Sequence, residues 1–327
     1  MRYQAVVSVM IAVMAALALA SPARADEKAY TARGHGSALK VVVSGGMIFL
    51  NLADHEWTEG PARLSSLTAA PETASASLPV VLVELRYAIN DGTGAYFGAP
   101  PEEFGKLGLG LTRSTPVGRL DVFLSAMSLV MPNEVWTDPY ALGVDRVSTP
   151  KTEIGLRLKL MDAFETRLRL AYRVEYRNVT TDLTPTLYPG LGRDGLEHQA
   201  GVSWRWRAAD GLHVEPGLMA LYGDYEGEAD SYTGLAPWVS AMYATRPVIL
   251  MLLGRAEFTR YGAVHPVFGV ERRDKRYLGV FTATRPELGG NRALSLTVGG
   301  SYSSTSSNIR YFEAGGSVGF VMVGYAF

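Results

Sequence analysis

Long stretches of this chain alternate strictly between apolar and polar residues. Over 165–177, Leu168, Leu170, Tyr172, Val174 and Tyr176 share one parity, and Arg167, Arg169, Arg173, Glu175 and Arg177 share the other. Over 153–160, Ile154, Leu156, Leu158 and Leu160 oppose Glu153, Arg157 and Lys159. Residues 199–207 set Ala200, Val202, Trp204 and Trp206 against Gln199, Ser203, Arg205 and Arg207. Residues 294–302 set Leu294, Leu296, Val298 and Tyr302 against Ser295, Thr297, Gly299 and Ser301. A period of two sends successive side chains to opposite faces of a sheet, so each stretch predicts a strand with one greasy and one polar face. Strands of soluble sandwiches also alternate but run about 5–6 residues. A tilted strand that crosses a bilayer needs roughly 9–11, and these stretches are that long. Tyr87, Tyr176, Trp206, Tyr222, Tyr243, Tyr302, Tyr325 and Phe327 fall at strand ends, where an interfacial aromatic girdle belongs.

The connections are of two kinds, and the kinds alternate along the chain. Residues 90–93, 114–118, 161–164, 208–211, 245–247 and 285–291 are short and carry turn chemistry such as Asn-Asp-Gly and Ala-Asp-Gly. Residues 52–78, 100–104, 131–149, 179–196, 224–231, 262–274 and 303–310 form the longer set. Six turns and seven loops join fourteen strands. The expectation is an all-β chain, a transmembrane antiparallel up-and-down β-barrel of 14 strands with both termini periplasmic and the loops outside. Twelve strands is the alternative, should the strand at 94–99 or the first strand at 39–51 be misread. Loop 52–78 is rich in Ala, Ser, Thr and Pro and cannot form a packed core by itself. It is either a mobile external loop or a constriction folded inward. Loop 131–149 carries Trp136, Asp138, Pro139 and Tyr140 as anchors and is the one expected to fold inward.

Both ends of the chain fit that address. Residues 1–25 read as a cleaved signal peptide: Arg2 supplies the positive start, 5–20 the apolar stretch, and Ala23-Arg24-Ala25 the cleavage site. Residues 26–38 are then a periplasmic segment and 39–327 the barrel, which places the protein in the outer membrane of a Gram-negative cell. At the other end Val321, Val323, Tyr325 and Phe327 share one face. This resembles the terminal signal read by the barrel assembly machinery, with Met322 where Gly is usual and Phe320 where a polar residue is usual. The expected partners are that machinery, periplasmic chaperones, outer-membrane lipid and lipopolysaccharide, and a small solute.

Several loop motifs are similar to those of a bacterial outer-membrane family known by a domain-of-unknown-function label, the 2860 domain. They are Glu84-Leu85-Arg86-Tyr87 with Asp91-Gly92-Thr93 and Tyr96-Phe97-Gly98-Ala99-Pro100; His265-Pro266-Val267-Phe268-Gly269 with Arg272-Arg273-Asp274; and Ser307-Asn308-Ile309 with Tyr311-Phe312-Glu313. The resemblance implies a barrel in the outer membrane and no particular substrate or catalytic residue.

Composition narrows the chemistry. There is no cysteine, so thiol catalysis, disulfides and cysteine metal sites are excluded. The five histidines make no ligand spacing, and no metal site or cofactor is expected. With 31 basic against 32 acidic residues, nucleic acid is not an expected partner. The parity opposite lipid carries Arg86, Arg119, Arg157, Lys159, Arg167, Arg169, Arg173, Arg177, Arg205, Arg207 and Arg255. It also carries Glu84, Asp121, Glu153, Glu175, Glu215 and Glu257. Basic groups lead, and rings of Arg and Lys favour anions in a pore. The expectation is a porin-like channel or transporter for small solutes with a mild anion preference. Met219, Leu221, Ile249, Met251 and Leu253 put apolar residues on the same lumenal parity. One alternative is a non-conducting structural barrel, in which the lumenal charges pair and hold its shape. The other is an outer-membrane hydrolase or acyltransferase built around His198, close to Asp194 and Glu197. No Gly-x-Ser-x-Gly elbow supports the latter, and no catalytic residue is assigned.

Overall fold

A computed structural model describes residues 39–58, 60–98, 106–126, 133–245 and 247–327. The signal segment, residues 26–38, and positions 100–104 and 131–132 of the expected loops lie outside the described residues. The strands are β1 (Leu39–Ala53), β2 (Thr73–Asn90), β3 (Thr93–Gly98), β4 (Gly108–Thr115), β5 (Gly118–Ala126), β6 (Asn133–Trp136), β7 (Ser148–Ala163) and β8 (Leu168–Val179). They continue with β9 (Gly195–Trp204), β10 (Trp206–Ala209), β11 (Leu212–Tyr225), β12 (Tyr232–Thr245), β13 (Val248–Val264), β14 (Glu271–Pro286), β15 (Leu294–Ser307) and β16 (Ala314–Ala326). Each pairs antiparallel with its neighbours in sequence, and β16 returns to β1 from Val42↔Ala326 to Ala53↔Gly315. β6 occupies the place beside β7 that β5 leaves, and β10 continues β9 beside β11. The wall is therefore a closed barrel of 14 strands.

Parity decides which face each residue takes. Val81 is 69 % exposed on the outside, whereas its neighbour Val80 is 3 % exposed on the inside. Phe49, Leu109, Leu124, Ile154, Leu156, Leu170, Val202, Leu235, Leu252 and Phe281 are likewise exposed on the outer surface. Closure leaves no sheet edge, so the wall's backbone donors and acceptors are satisfied without water. A closed antiparallel barrel with this greasy exterior is a spanning structure of the outer-membrane type. Inside, several rings lie flat along the wall because the partner position is glycine. A Cβ at Gly110 would fall 1.9 Å from the Tyr96 ring, and one at Gly217 would fall 2.4 Å from the Trp238 ring. Each of these rings thus lies over its glycine on the wall.

All short turns lie at one end and all long loops at the other. Gly211, at φ 73, supplies the left-handed position of the turn joining β10 to β11. Several expected loops are shorter than the sequence suggests, 262–274 among them because β14 begins at Glu271. Thr73 to Ser77 is strand, paired with β1 as in Asn51↔Ser75, and β15 runs on to Ser307. Small side chains in Ala74-Ser75-Ala76-Ser77 blur the alternation there, so composition reads as loop although the ladder continues. In the remaining loop 54–72 Leu64 is buried and packs with Tyr140 of loop 137–147.

Candidate functional site

The inner wall is ionic from β2 to β9 and on parts of β11 and β13. Glu153 on β7 meets Lys151 at 2.7 Å, Lys106 at 3.4 Å and Arg177 of β8 at 3.4 Å. Glu175 on β8 takes Lys106 and Arg173. Arg157 binds Asp121 of β5 at 2.5 Å. The Tyr96 hydroxyl donates to Asp121 at 3.1 Å and accepts from Arg157 at 3.2 Å. Arg169 binds Glu215 of β11 at 2.7 Å, and the Ser203 hydroxyl donates to the same carboxylate at 2.7 Å. Arg255 pairs with Glu257 at 2.8 Å, and Arg86 with Glu84. Arg119 reaches the Met161 sulfur at 3.4 Å, and Lys159 stands opposite Asp121 in the ladder. Two features of the fold make this wall. Residues two apart on a strand share a face, and directly opposed residues in antiparallel strands share it too. Charges kept this far from bulk water need such partners, since an unpaired one carries a desolvation penalty of several kcal/mol, to order of magnitude.

Two of the expected lumenal arginines sit off the strands, and a third, Arg207, stands on β10 opposite His213 at the turn end. Arg167 lies in the turn between β7 and β8, and Arg205 in the break between β9 and β10. Arg207 is exposed and paired with Asp210 at 2.6 Å. Strand parity carried into a turn or a break is what misplaced the first two. With Arg169 all three act electrostatically on His213. The structure adds groups that sequence reading passed over: Lys106, Lys151, Glu197, Arg272, Asp274 and Arg276. The last three were read as loop or left unassigned, although their spacing of two already placed them on one face of β14.

The rest of the lumen wall is apolar. Ile48 and Leu50 of β1, Val80 of β2, Val280 of β14, and Val318, Phe320 and Met322 of β16 form a buried cluster. Leu52, Trp57, Leu82, Leu253 and Leu278 pack at its margin. Met219, Leu221, Ile249, Met251 and Leu253 share the inward parity of Glu215 and Arg255 on β11 and β13. His198 lies on the outer face. Its Nδ1 bonds the Tyr172 hydroxyl at 2.8 Å, and its ring stands between Tyr172 and Tyr222. Asp194 accepts instead from the Val179 N–H at 2.6 Å, and Glu197 faces inward. Val321, Val323, Tyr325 and Phe327 are all exposed on the outer surface, with the last two rings 4.7 Å apart. Among the described residues no three His, Cys, Asp or Glu are grouped to hold a metal.

A cap of packed loops covers the long-loop end. Its core is Leu64, Tyr140, Leu191, Ala229, Ile309, Tyr311 and Phe312. The Arg146 guanidinium donates to the carbonyls of His55 at 2.8 Å, Pro61 at 2.7 Å, Ala62 at 3.2 Å and Pro139 at 3.2 Å. Arg193 clamps Asp182 at 2.7 Å and also donates to the Thr137 carbonyl. The Tyr311 hydroxyl donates to the Pro139 carbonyl at 2.8 Å, and the His55 ring stacks on Tyr311. The Tyr140 hydroxyl and His265 Nε2 are 3.1 Å apart. Burial, aided by Glu56, pushes the Asp54 carboxyl up to about 6. Burial also pushes Asp230 up to about 6 and, with Arg272, holds the His265 imidazole down at about 4. For Asp182 burial acts upward, but the hydrogen bonds and charge of Arg193 prevail and hold it below the usual range.

The family described as Protein of unknown function (DUF2860) matches residues 39–327. Solved barrels are similar in outline. A loop L8 deletion mutant of OmpT, an outer membrane protein of Vibrio cholerae, aligns at 10% identity over 89% of this chain and 100% of its own, with a TM-score of 0.42. The outer membrane channel DcaP of Acinetobacter baumannii aligns at 12% identity over 89% and 98%, with a TM-score of 0.38. OccK2 of Pseudomonas aeruginosa aligns at 11% identity over 88% and 98%, with a TM-score of 0.38. No curated protein matches the sequence.

Proposed function

The chain belongs to the family described as Protein of unknown function (DUF2860), and we propose that it is a channel for small solutes with a mild preference for anions. Turns and both termini face the periplasm in this reading, and the loop cap faces outward and limits entry. The outer surface meets lipid and lipopolysaccharide, and the terminal Val321, Val323, Tyr325 and Phe327 face is what the assembly machinery reads. One observation carries the anion preference. Arg167, Arg169, Arg205 and Arg207 gather around His213 at the turn end, and of these Arg169 is paired with Glu215 and Arg207 with Asp210. Cations at a pore mouth raise the local concentration of anions and lower their entry barrier.

The test is the reversal potential of the purified barrel in a planar bilayer under a KCl gradient. Chloride selectivity is expected, and neutralising Arg205 and Arg207 to Gln lowers the chloride-to-potassium ratio on the order of twofold. Potassium selectivity overturns the preference. Absence of any current favours the non-conducting barrel, a reading supported by the ion pairing of the wall between β5, β7 and β8.

A further inference from the structure

The ionic and apolar parts of the lumen meet at Arg276. This residue is on the inward face of β14, with Leu278 two positions further along the same face. Its direct partner across the ladder is Glu257 of β13. That carboxylate is turned to Arg255, 2.8 Å away. Among the described residues no carboxylate lies within ion-pair distance of Arg276, and its side chain is exposed in the lumen. Asp54 of the cap senses its charge through space without bonding it. The apolar wall begins one step toward the turns. Leu253 pairs with Val280, and Leu278 and Leu253 are only partly covered. A guanidinium with open donors therefore stands at the margin of a hydrocarbon surface.

The two features reward different parts of one molecule. A guanidinium fork matches a carboxylate and binds it by two parallel charge-assisted hydrogen bonds. An apolar surface gains about 0.8 kcal/mol for each methylene it removes from water. A small hydrophilic anion collects only the first gain and a neutral apolar solute only the second. We propose that the lumen binds amphiphilic monoanions, carboxylates with a hydrocarbon body, with the head on Arg276 and the body along Leu278 and Leu253. This deepens the channel reading and rests on it for the solute's path, though the binding can be measured separately.

Octanoate, acetate and octanamide are the probes. Each is titrated against the KCl current of the full chain in planar bilayers, and labelled octanoate binding is measured on the barrel in lipid nanodiscs, with empty nanodiscs subtracted. Octanoate is expected to bind and to reduce the current at concentrations at least about tenfold below the other two. Arg276→Gln raises its half-effective concentration about tenfold, and Arg276→Lys restores part of the loss. Shortening the acid weakens it about fourfold per methylene, and Leu278→Thr flattens that dependence. KCl current with no discrimination among the probes, or octanoate binding that Arg276→Gln leaves intact, overturns the site while the channel stands. Arg276-dependent binding without any KCl current does the reverse: the site stands and the channel reading falls.

Discussion

Along the wall Arg173 finds Glu175, Arg86 finds Glu84, Arg255 finds Glu257 and Arg272 finds Asp274, each two residues away on its own strand. In the cap several partners are remote. Arg63 reaches the Gly143 carbonyl across 80 residues, Arg146 reaches His55 across 91, and Tyr311 reaches Pro139 across 172. Both regions keep charged or polar groups away from water and satisfy them with hydrogen bonds. They differ in what supplies the partners. The wall draws on strand parity and ladder register, which are fixed wherever the barrel closes. The cap draws on the convergence of separate loops, so it can loosen while the wall persists.

The sharpest break in that contrast is made at Glu153. Lys151, Lys106 and Arg177 converge on this one carboxylate, which is largely hidden from solvent. Replacing it with alanine leaves three cations crowded without their shared partner. Breaking a buried pair in this way costs about 3 kcal/mol. Glu153→Ala should therefore lower the denaturant midpoint of the whole barrel, followed by the loss of sheet signal. An unchanged midpoint would mean that lumen water, and not Glu153, carries the charge of those cations.

A smaller and more local effect is expected at Arg146. Its four carbonyl acceptors join loop 54–72 to loop 137–147, and its guanidinium also lies 4.2 Å above the Trp136 ring. Arg146→Met leaves those carbonyls without their donor, at about 2 kcal/mol borne by the cap alone. Protease should then cut loops 54–72 and 137–147 faster, and KCl conductance should rise, while the global denaturant midpoint holds. A fall in that midpoint would show that cap and wall unfold together.

The same contrast explains what could be read from the sequence. Fourteen strands, the alternation of turns and loops, and most inward charges follow from period two, because parity is a local property. Arg173 and Glu175 need no knowledge of the rest of the chain to be placed on one face. Parity fails where the chain leaves the ladder, as at Arg167 and Arg205. It is also hard to see where side chains are too small to mark it, as in Ala74-Ser75-Ala76-Ser77. The cap was not legible, because nothing near Arg146 names His55 or Pro61 as its acceptors. Trp136 and Tyr140 hinted at an inward loop, and no comparable signal marked Leu64 or Tyr311.

The finest test separates the cap's titrating groups. Asp54, whose surroundings include Glu56, Arg272 and Arg276, and Asp230, which accepts from the Gly192 N–H and faces Glu56, Arg193 and Arg272, both sit at about 6 when the cap is closed, against 3.8 in water. Between those values the closed cap holds more protons than the open one, so its stability is full below about pH 4 and declines as pH rises to about 6. His265 runs the other way. It sits at about 4 in the cap against 6.5 in water, so its contribution is lost in acid and grows as pH rises through that interval. Two carboxyls outweigh one imidazole, and the channel should conduct somewhat more at pH 7 than at pH 4. With Asp54→Asn and Asp230→Asn together, only the imidazole is left, and the slope should invert, giving a tighter cap and less current at pH 7. The measurement is conductance of both proteins across that interval at fixed KCl. A slope of the same sign in both would assign the pH response to the wall, where charge pairs rather than converging loops would have to carry it.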